Sequence, residues 1–277
     1  MGRTYRAAPG YVGPVFEVQS GALRNCAVIG NGYGFNGAGY GVGVLVTGID
    51  VTLERVVSEG FYRGFEIEQC QRVTLSYCTA RRNWQFGFNA EFADSITFDH
   101  CDSQYNGLDG FKTRAQATHI TLTNCYAARN GQDPANAGDG IDVFAGGDGV
   151  LIENCAFELN EGNGITIKTD TLTRDEPAYY GIVQNVMVRG CVCRNNTGWG
   201  IIAISGFVAD VPLLRGVTIE NTTTQDNAMD GLWINAGDVT VAGLNAAPNG
   251  RDGVLIDTRA ENVTLSNVTG TVQDNRA

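Results

Sequence analysis

Lys112 and Lys168 are the only two lysines of the 277-residue chain, and each follows a glycine by an even number of residues, in Gly110-Phe111-Lys112-Thr113-Arg114 and Gly164-Ile165-Thr166-Ile167-Lys168. Between them Gly140-Ile141-Asp142-Val143-Phe144 repeats the pattern with a carboxylate. An amine held away from water and beside another cation, as Arg114 would be, gives up its proton more readily and becomes a base. A base next to cations suits one reaction above others: removal of the proton beside a uronate carboxylate, with the cations holding the charge that develops. Lys112, Lys168, Asp142 and Arg114 are therefore the catalytic candidates. Upstream, the same offsets carry Glu66, Glu68, Asn89 and Glu91. Glu66, Glu68 and Glu91 are hard oxygen donors suited to calcium, the one cofactor this pattern implies. They also allow the alternative of glycoside hydrolysis by paired carboxylates, for which a spacing of about 4.8 Å lies near the retaining geometry.

These residues are placed by a repeat. Gly64, Gly87 and Gly110 are 23 residues apart, and Gly231 and Gly253 are 22 apart; the longer steps from Gly110 to Gly140 and from Gly164 to Gly200 keep the flanking pattern and read as loop insertions. After each glycine comes a second run, apolar-x-apolar-x-x-Cys, as in Val73-Leu75-Cys78, Ile96-Phe98-Cys101 and Ile120-Leu122-Cys125. Alternation of period two specifies strands. Five residues after the cysteine position stands an asparagine (Asn83, Asn106, Asn130, Asn160, Asn196, Asn227), read as the left-handed residue of a recurrent bend. A fixed period with two or three short strands per unit and no helical segment predicts an all-β fold. The expected architecture is a single-stranded right-handed parallel β-helix of about ten coils, a rod on the order of 45 to 50 Å long. It would span residues 15–277 behind an N-terminal extension, 1–14.

Along each strand the first and third residues after the glycine should face the core, and the second and fourth should face out. The two lysines then stand roughly 10 Å apart on one exposed column, with Asp142 on the coil between. Such a groove suits a polysaccharide: Arg63, Glu66 and Asn89 would bind polar groups, and Phe144, Trp199 and Trp233 would stack on sugar rings. The insertions 132–139, 169–180 and 207–214 would form its walls. His100 and His119 fall on the second strand column, away from the stripe.

The net charge of −11 argues against nucleic acid as a partner. No apolar run has membrane-spanning length, which argues against a membrane. Eight cysteines, six of them at equivalent inward positions, read as stacked buried thiols. No signal peptide is recognisable in residues 1–13, although a polysaccharide partner points to an extracellular, cell-surface or virion location. Open strand edges at the ends of the solenoid lead us to expect an adjoining capping domain or a homo-oligomer.

Asp50-Val51-Thr52-Leu53-Glu54-Arg55-Val56, Gly64-Phe65 and Asn106-Gly107-Leu108-Asp109-Gly110-Phe111 resemble the catalytic modules of bacterial mannuronan C-5-epimerases. The similarity runs from about Gly32 to the C-terminus and includes the insertion after Lys168. It implies a β-helix acting on a uronate polymer by epimerase- or lyase-type chemistry. That family carries a Tyr-Gly-Phe-Asp-Pro-His motif whose tyrosine and histidine are implied to exchange the C-5 proton. The nearest matches, Arg63-Gly64-Phe65-Glu66-Ile67-Glu68 and Phe86-Gly87-Phe88-Asn89-Ala90-Glu91, hold neither residue. Hydrolysis, and glycan binding without catalysis as in a tailspike module, remain the alternatives.

Overall fold

A computed structural model describes residues 2–8, 11, 13–32, 41–169, 181–208 and 211–276. Strands stack coil on coil in parallel into a β-helix. One face is an eleven-stranded parallel sheet that includes Arg63–Glu68, Phe88–Glu91, Phe111–Arg114, Ile141–Phe144, Ile165–Lys168, Ile201–Ile204 and Leu232–Asn235. A seventeen-stranded sheet supplies the other two columns, joined where Gly21–Ile29 and Ile49–Glu59 run on from one column into the next. Arg3–Arg6, which the sequence placed in an extension ahead of the solenoid, pairs in parallel with Gly21–Ile29, Arg3 opposite Cys26. Among the described residues no helix is long and apolar enough to cross a membrane.

The inward residues are those that alternation selects. Phe65, Phe88 and Phe111 stack at 4.7 and 4.9 Å with nearly parallel rings. All eight cysteines are free and buried, Cys70 and Cys193 included. Cys78, Cys101, Cys125, Cys155 and Cys191 point their thiols at a carbonyl of the preceding coil, such as Cys101 Sγ to Leu75 O at 3.4 Å and Cys125 Sγ to Phe98 O at 3.4 Å. A weak donor is thereby satisfied at each strand end.

The asparagine column does a different task from the one expected. Positive φ belongs to the residue before each asparagine, Arg82, Tyr105, Arg129, Leu159, Asn195 and Asp226. The asparagines themselves are buried. Each amide donates to the Oδ1 of the next coil's asparagine, Asn83 to Asn106 at 3.0 Å, Asn106 to Asn130 at 2.9 Å and onward to Asn249. The same Oδ1 accepts a backbone N–H, as from Asn83 at 3.1 Å, so the ladder satisfies main chain that would otherwise be buried without a partner. This ladder also explains the glycine repeat. A Cβ at Gly110 would stand 2.7 Å from Gly140 O and 2.8 Å from Asn130 Nδ2, so space rather than dihedral freedom demands glycine there.

Candidate functional site

The repeat glycine and the residue after it both face inward, so the alternation slips by one at each glycine. The residue before the glycine therefore shares the outward face with the second residue after it. Three columns line that face. Before the glycines stand Arg63, Phe86, Asp109, Asp139, Asn163 and Trp199; two residues after come Glu66, Asn89, Lys112, Asp142, Thr166 and Ile202; four residues after come Glu68, Glu91, Arg114, Phe144, Lys168 and Ile204.

On the middle coils these columns converge. The Lys112 ammonium bonds Asp142 Oδ2 and lies 3.4 Å from Asp109 Oδ2, while Lys168 Nζ reaches the same Asp142 oxygen at 2.9 Å. The Phe144 ring lies 5.2 Å from the Lys112 ammonium and 5.5 Å from that of Lys168, and Phe86 is 5.8 Å from Lys112, so aromatic faces enclose the cations. Asp139 accepts the Asn163 backbone N–H at 2.6 Å and the Thr166 hydroxyl at 2.6 Å. Its own N–H donates to Asp109 Oδ1 at 2.9 Å. Asp109, Asp139 and Asp142 each offer an oxygen within 4.8 Å of the others. Asp109 and Asp139 were not reached by counting in twos from the glycine. The signal that would have found them is the Asp-Gly pair at 109–110 and 139–140.

Expected to be an exposed stripe, the face is largely enclosed here: Asn89 and Thr166 are 0% exposed, Asp142 1% and Glu66 3%. Long side chains from neighbouring coils fold over one another and shield the row. Of the two lysines, Lys168 keeps the more open side chain, 37% exposed against 10% for Lys112.

Burial and neighbours set the protonation states. Burial, reinforced by the charges on Asp109 and Asp142, pushes Asp139 up to about 7. Burial likewise raises Asp109, with Lys112 only partly offsetting it. Burial opposes the charge on Asp142 too, but Lys112 and Lys168 together outweigh it and hold this carboxyl below the usual range. For Lys112 burial disfavours the ammonium, yet Asp142 and Asp109 win and raise it above an ordinary lysine. The expectation that Lys112 acts as a base is thereby corrected: two carboxylates hold it charged at neutral pH, and the group poised to exchange a proton there is Asp139.

The other candidates are placed as follows. Glu66 is salt-bridged to Arg63 at 2.9 Å and accepts from Asn89 at 2.6 Å. Burial raises its pKa, Arg63 offsetting part of the effect. Glu91 pairs with Arg114 at 2.7 Å and lies 3.5 Å from the Asn89 amide. Glu68 stands in register with Glu91. Glu66, Glu68 and Glu91 do not draw together as a ligand cage for calcium; two of the three are committed to arginines and to Asn89. The aspartate trio fits a divalent cation no better, because the Lys112 ammonium already bridges two of its members and Lys168 adds a second positive charge. Phe144 acts as a lid over lysines. Trp199 and Trp233 lie together at 5.2 Å, half-buried, further along the same face. His100 and His119 pair with Asp99 and Asp94 on the other sheet, where the sequence put them. Of the three insertions, 132–139 is a turn-rich loop, residues 170–180 lie outside the described residues, and Phe207–Val208 pairs antiparallel with Val211–Pro212.

The family described as "Right handed beta helix region" matches residues 15–173, more than half of the sequence, and the chain belongs to it. No curated protein sequence matches the chain. Among solved structures it is similar to the A-module of mannuronan C-5 epimerase AlgE4 from Azotobacter vinelandii, with 16% identity, a TM-score of 0.69, and coverage of 94% of this chain and 76% of that one. It is also similar to the periplasmic alginate epimerase AlgG (9% identity, TM-score 0.62, 98% and 78% covered). A third likeness is the catalytic domain of a GH87 alpha-1,3-glucanase in complex with nigerose (14% identity, TM-score 0.54, 91% and 55% covered). At these identities the likeness establishes the fold.

Proposed function

We propose that this β-helix is a carbohydrate-active enzyme that removes the C-5 proton of a uronate residue in an acidic polysaccharide, with Asp139 as the base. The arrangement carrying this reading is the cluster itself: Asp142 is held as a carboxylate between two lysines, and Asp139, within 4.8 Å of it, is pushed up to about 7 by burial and by the charges of Asp109 and Asp142. A base with its pKa near working pH is the most effective kind. Lys168, the more open of the two ammoniums, receives the uronate carboxylate, and Lys112 keeps Asp142 and Asp109 from repelling it. Asp139 takes the proton, and the C–H electron pair moves into the enolate of the uronate carboxylate. The enolate then either expels the C-4 oxygen to leave a C4–C5 double bond, as a lyase does, or regains a proton on the opposite face, as an epimerase does. Two of the similar structures bear the names of epimerases that act on alginate or mannuronan, which supports a polyuronate as substrate.

Hydrolysis is the second reading, favoured by the same separation of carboxyl pKa values. Against it, Asp142 is 2% exposed at its side chain and bonded by both lysines, and Asp109 is taken by the Lys112 ammonium and the Asp139 N–H, so neither partner of Asp139 is free to attack a sugar. The test is incubation with polymannuronate, polyguluronate and polygalacturonate. Ultraviolet absorbance of unsaturated uronate supports elimination, and a changed ratio of uronate epimers supports epimerisation. Reducing ends without absorbance support hydrolysis, and an Asp139→Asn variant as active as the parent refutes the assignment of the base.

A further inference from the structure

Asp139 differs from its two acidic neighbours in what bonds it. Asp142 is held by two ammoniums, and Asp109 by the Lys112 ammonium and the Asp139 N–H. Among the described residues the donors to Asp139 are neutral: the Asn163 backbone N–H on Oδ1 and the Thr166 hydroxyl on Oδ2, each at 2.6 Å. Both come from the next coil, where Asn163 precedes the repeat glycine and Thr166, fully buried, stands in register with Asp142. These donors are themselves oriented. The Asn163 Nδ2 group donates to Thr166 Oγ1 at 3.0 Å, and Asn163 Oδ1 accepts the Trp199 backbone N–H, one coil further on, at 2.9 Å. A backbone N–H can only donate, so the Asn163 amide cannot turn over without setting its own NH2 against that of Trp199. Its NH2 therefore faces Thr166 Oγ1, and the single hydroxyl proton is left for Asp139.

We propose that Asn163 and Thr166 are positioning residues for the base: a one-way chain of donors, from the Trp199 N–H through the Asn163 amide to the Thr166 hydroxyl, holds the Asp139 carboxylate charged and fixes its orientation. The proposal rests on the reading of Asp139 as the base and adds what tunes it. Hydrogen bonds donated to a carboxylate favour its charged form, and here they oppose burial and the charges of Asp109 and Asp142, which favour the acid. A hydroxyl does this more weakly than an ammonium, so Asp139 stays able to take up a proton and release it, whereas Asp142 between its two lysines does not. Each carboxylate oxygen has about two acceptor sites, so the chain leaves one on each for the proton leaving C-5.

Titration of Asp139 itself tests this, by nuclear magnetic resonance of protein isotope-labelled at the aspartate side-chain carboxyl; the resonance that Asp139→Asn removes is the one followed. Thr166→Val keeps the shape of the side chain and deletes the donor, while the charged groups around Asp139, namely Asp109, Asp142, Lys112 and Lys168, stay as they are. The Asp139 midpoint should then rise by about one pH unit, the size expected for losing a hydrogen bond to a charged group. Asn163→Asp still accepts the Trp199 N–H but competes for the Thr166 proton and adds a negative charge, so it should raise the midpoint further. Thr166→Ser should keep the parent's value. In Thr166→Val, kcat/KM on a uronate polymer should fall about tenfold at about pH 6 and return close to the parent's at about pH 9, since only the ionised base works. A residue that merely held the coils together would lower kcat/KM alike at both. An unmoved Asp139 midpoint in Thr166→Val, or a rise that Thr166→Ser shares, overturns the proposal. A midpoint that rises while the acid limb of kcat/KM stays in place upholds the donor chain and refutes Asp139 as the base, so the two fail separately.

Discussion

Replacing Asp139 by asparagine should stabilise the protein in alkali and leave it unchanged in acid. The carboxyl moves from 3.8 to about 7 on folding, driven first by burial and then by Asp109 and Asp142. A shift of about 3 units corresponds to about 4 kcal/mol at 1.36 kcal/mol per unit. The folded state holds this proton more tightly than the unfolded chain does. Between about pH 4 and 7 the unfolded chain gives it up first, so stability falls as pH rises, and the whole cost is present above about pH 7. Asparagine has the same shape and no proton to lose. Its Oδ1 still accepts the Asn163 N–H, and its amide can donate to the Thr166 hydroxyl, which rotates to accept. Urea denaturation of both proteins at about pH 4.5 and about pH 8.5 should show Asp139→Asn equal to the parent in acid. In alkali it should be more stable by about 2 to 4 kcal/mol, with activity lost at both. A stability difference that does not change with pH would refute the electrostatic reasoning, since it would mean that Asp139 does not carry a displaced proton.

Five further substitutions test the ladder, the buried charges and the glycine column. Asn106→Ala removes the acceptor for both the Asn83 backbone N–H and its amide, at 3.1 and 3.0 Å, and should cost about 2 to 4 kcal/mol in denaturation. Asn249→Ala, at the half-buried end of the ladder where water can substitute, should cost about 1 kcal/mol, and equal losses would discount the ladder. Lys112→Met leaves the buried Asp109 without its ammonium and Asp142 with Lys168 alone, and should cost about 3 kcal/mol near neutral pH, the low end for a broken buried pair, read as a lower denaturation midpoint; an unchanged midpoint contradicts the assigned charges. Gly110→Ala forces a Cβ against Gly140 O at 2.7 Å and should cost about 1 to 3 kcal/mol. Gly147→Ala meets only ordinary contacts from 3.4 Å outward and should stay within about 0.5 kcal/mol by the same denaturation assay.

The architecture was legible because each of its determinants leaves a residue type at a fixed interval. The glycine has no room for a Cβ, the cysteine fills a small inward place, and strand alternation puts Lys112, Asp142 and Lys168 on one face. Asp109 and Asp139 escaped because two consecutive inward residues at the glycine shift the phase, which a count in twos cannot register. The asparagines were read as bends because their type favours left-handed backbone. In the structure that conformation falls one residue earlier, on Arg82 or Tyr105, which have no special preference for it. The role of Lys112 depended on Asp142, 30 residues away in sequence and one coil away in space. Its type suggested a base, and its partners make it a fixed cation.

The most direct test of proton removal by Asp139 is incubation of the protein with uronate-containing polymer in deuterated water, followed by nuclear magnetic resonance of the product. Deuterium is expected at C-5 of uronate residues, or unsaturated chain ends formed by loss of that proton, and neither with Asp139→Asn. New reducing ends without unsaturated chain ends, on a polymer whose C-5 hydrogens remain unexchanged, would contradict it and identify a hydrolase.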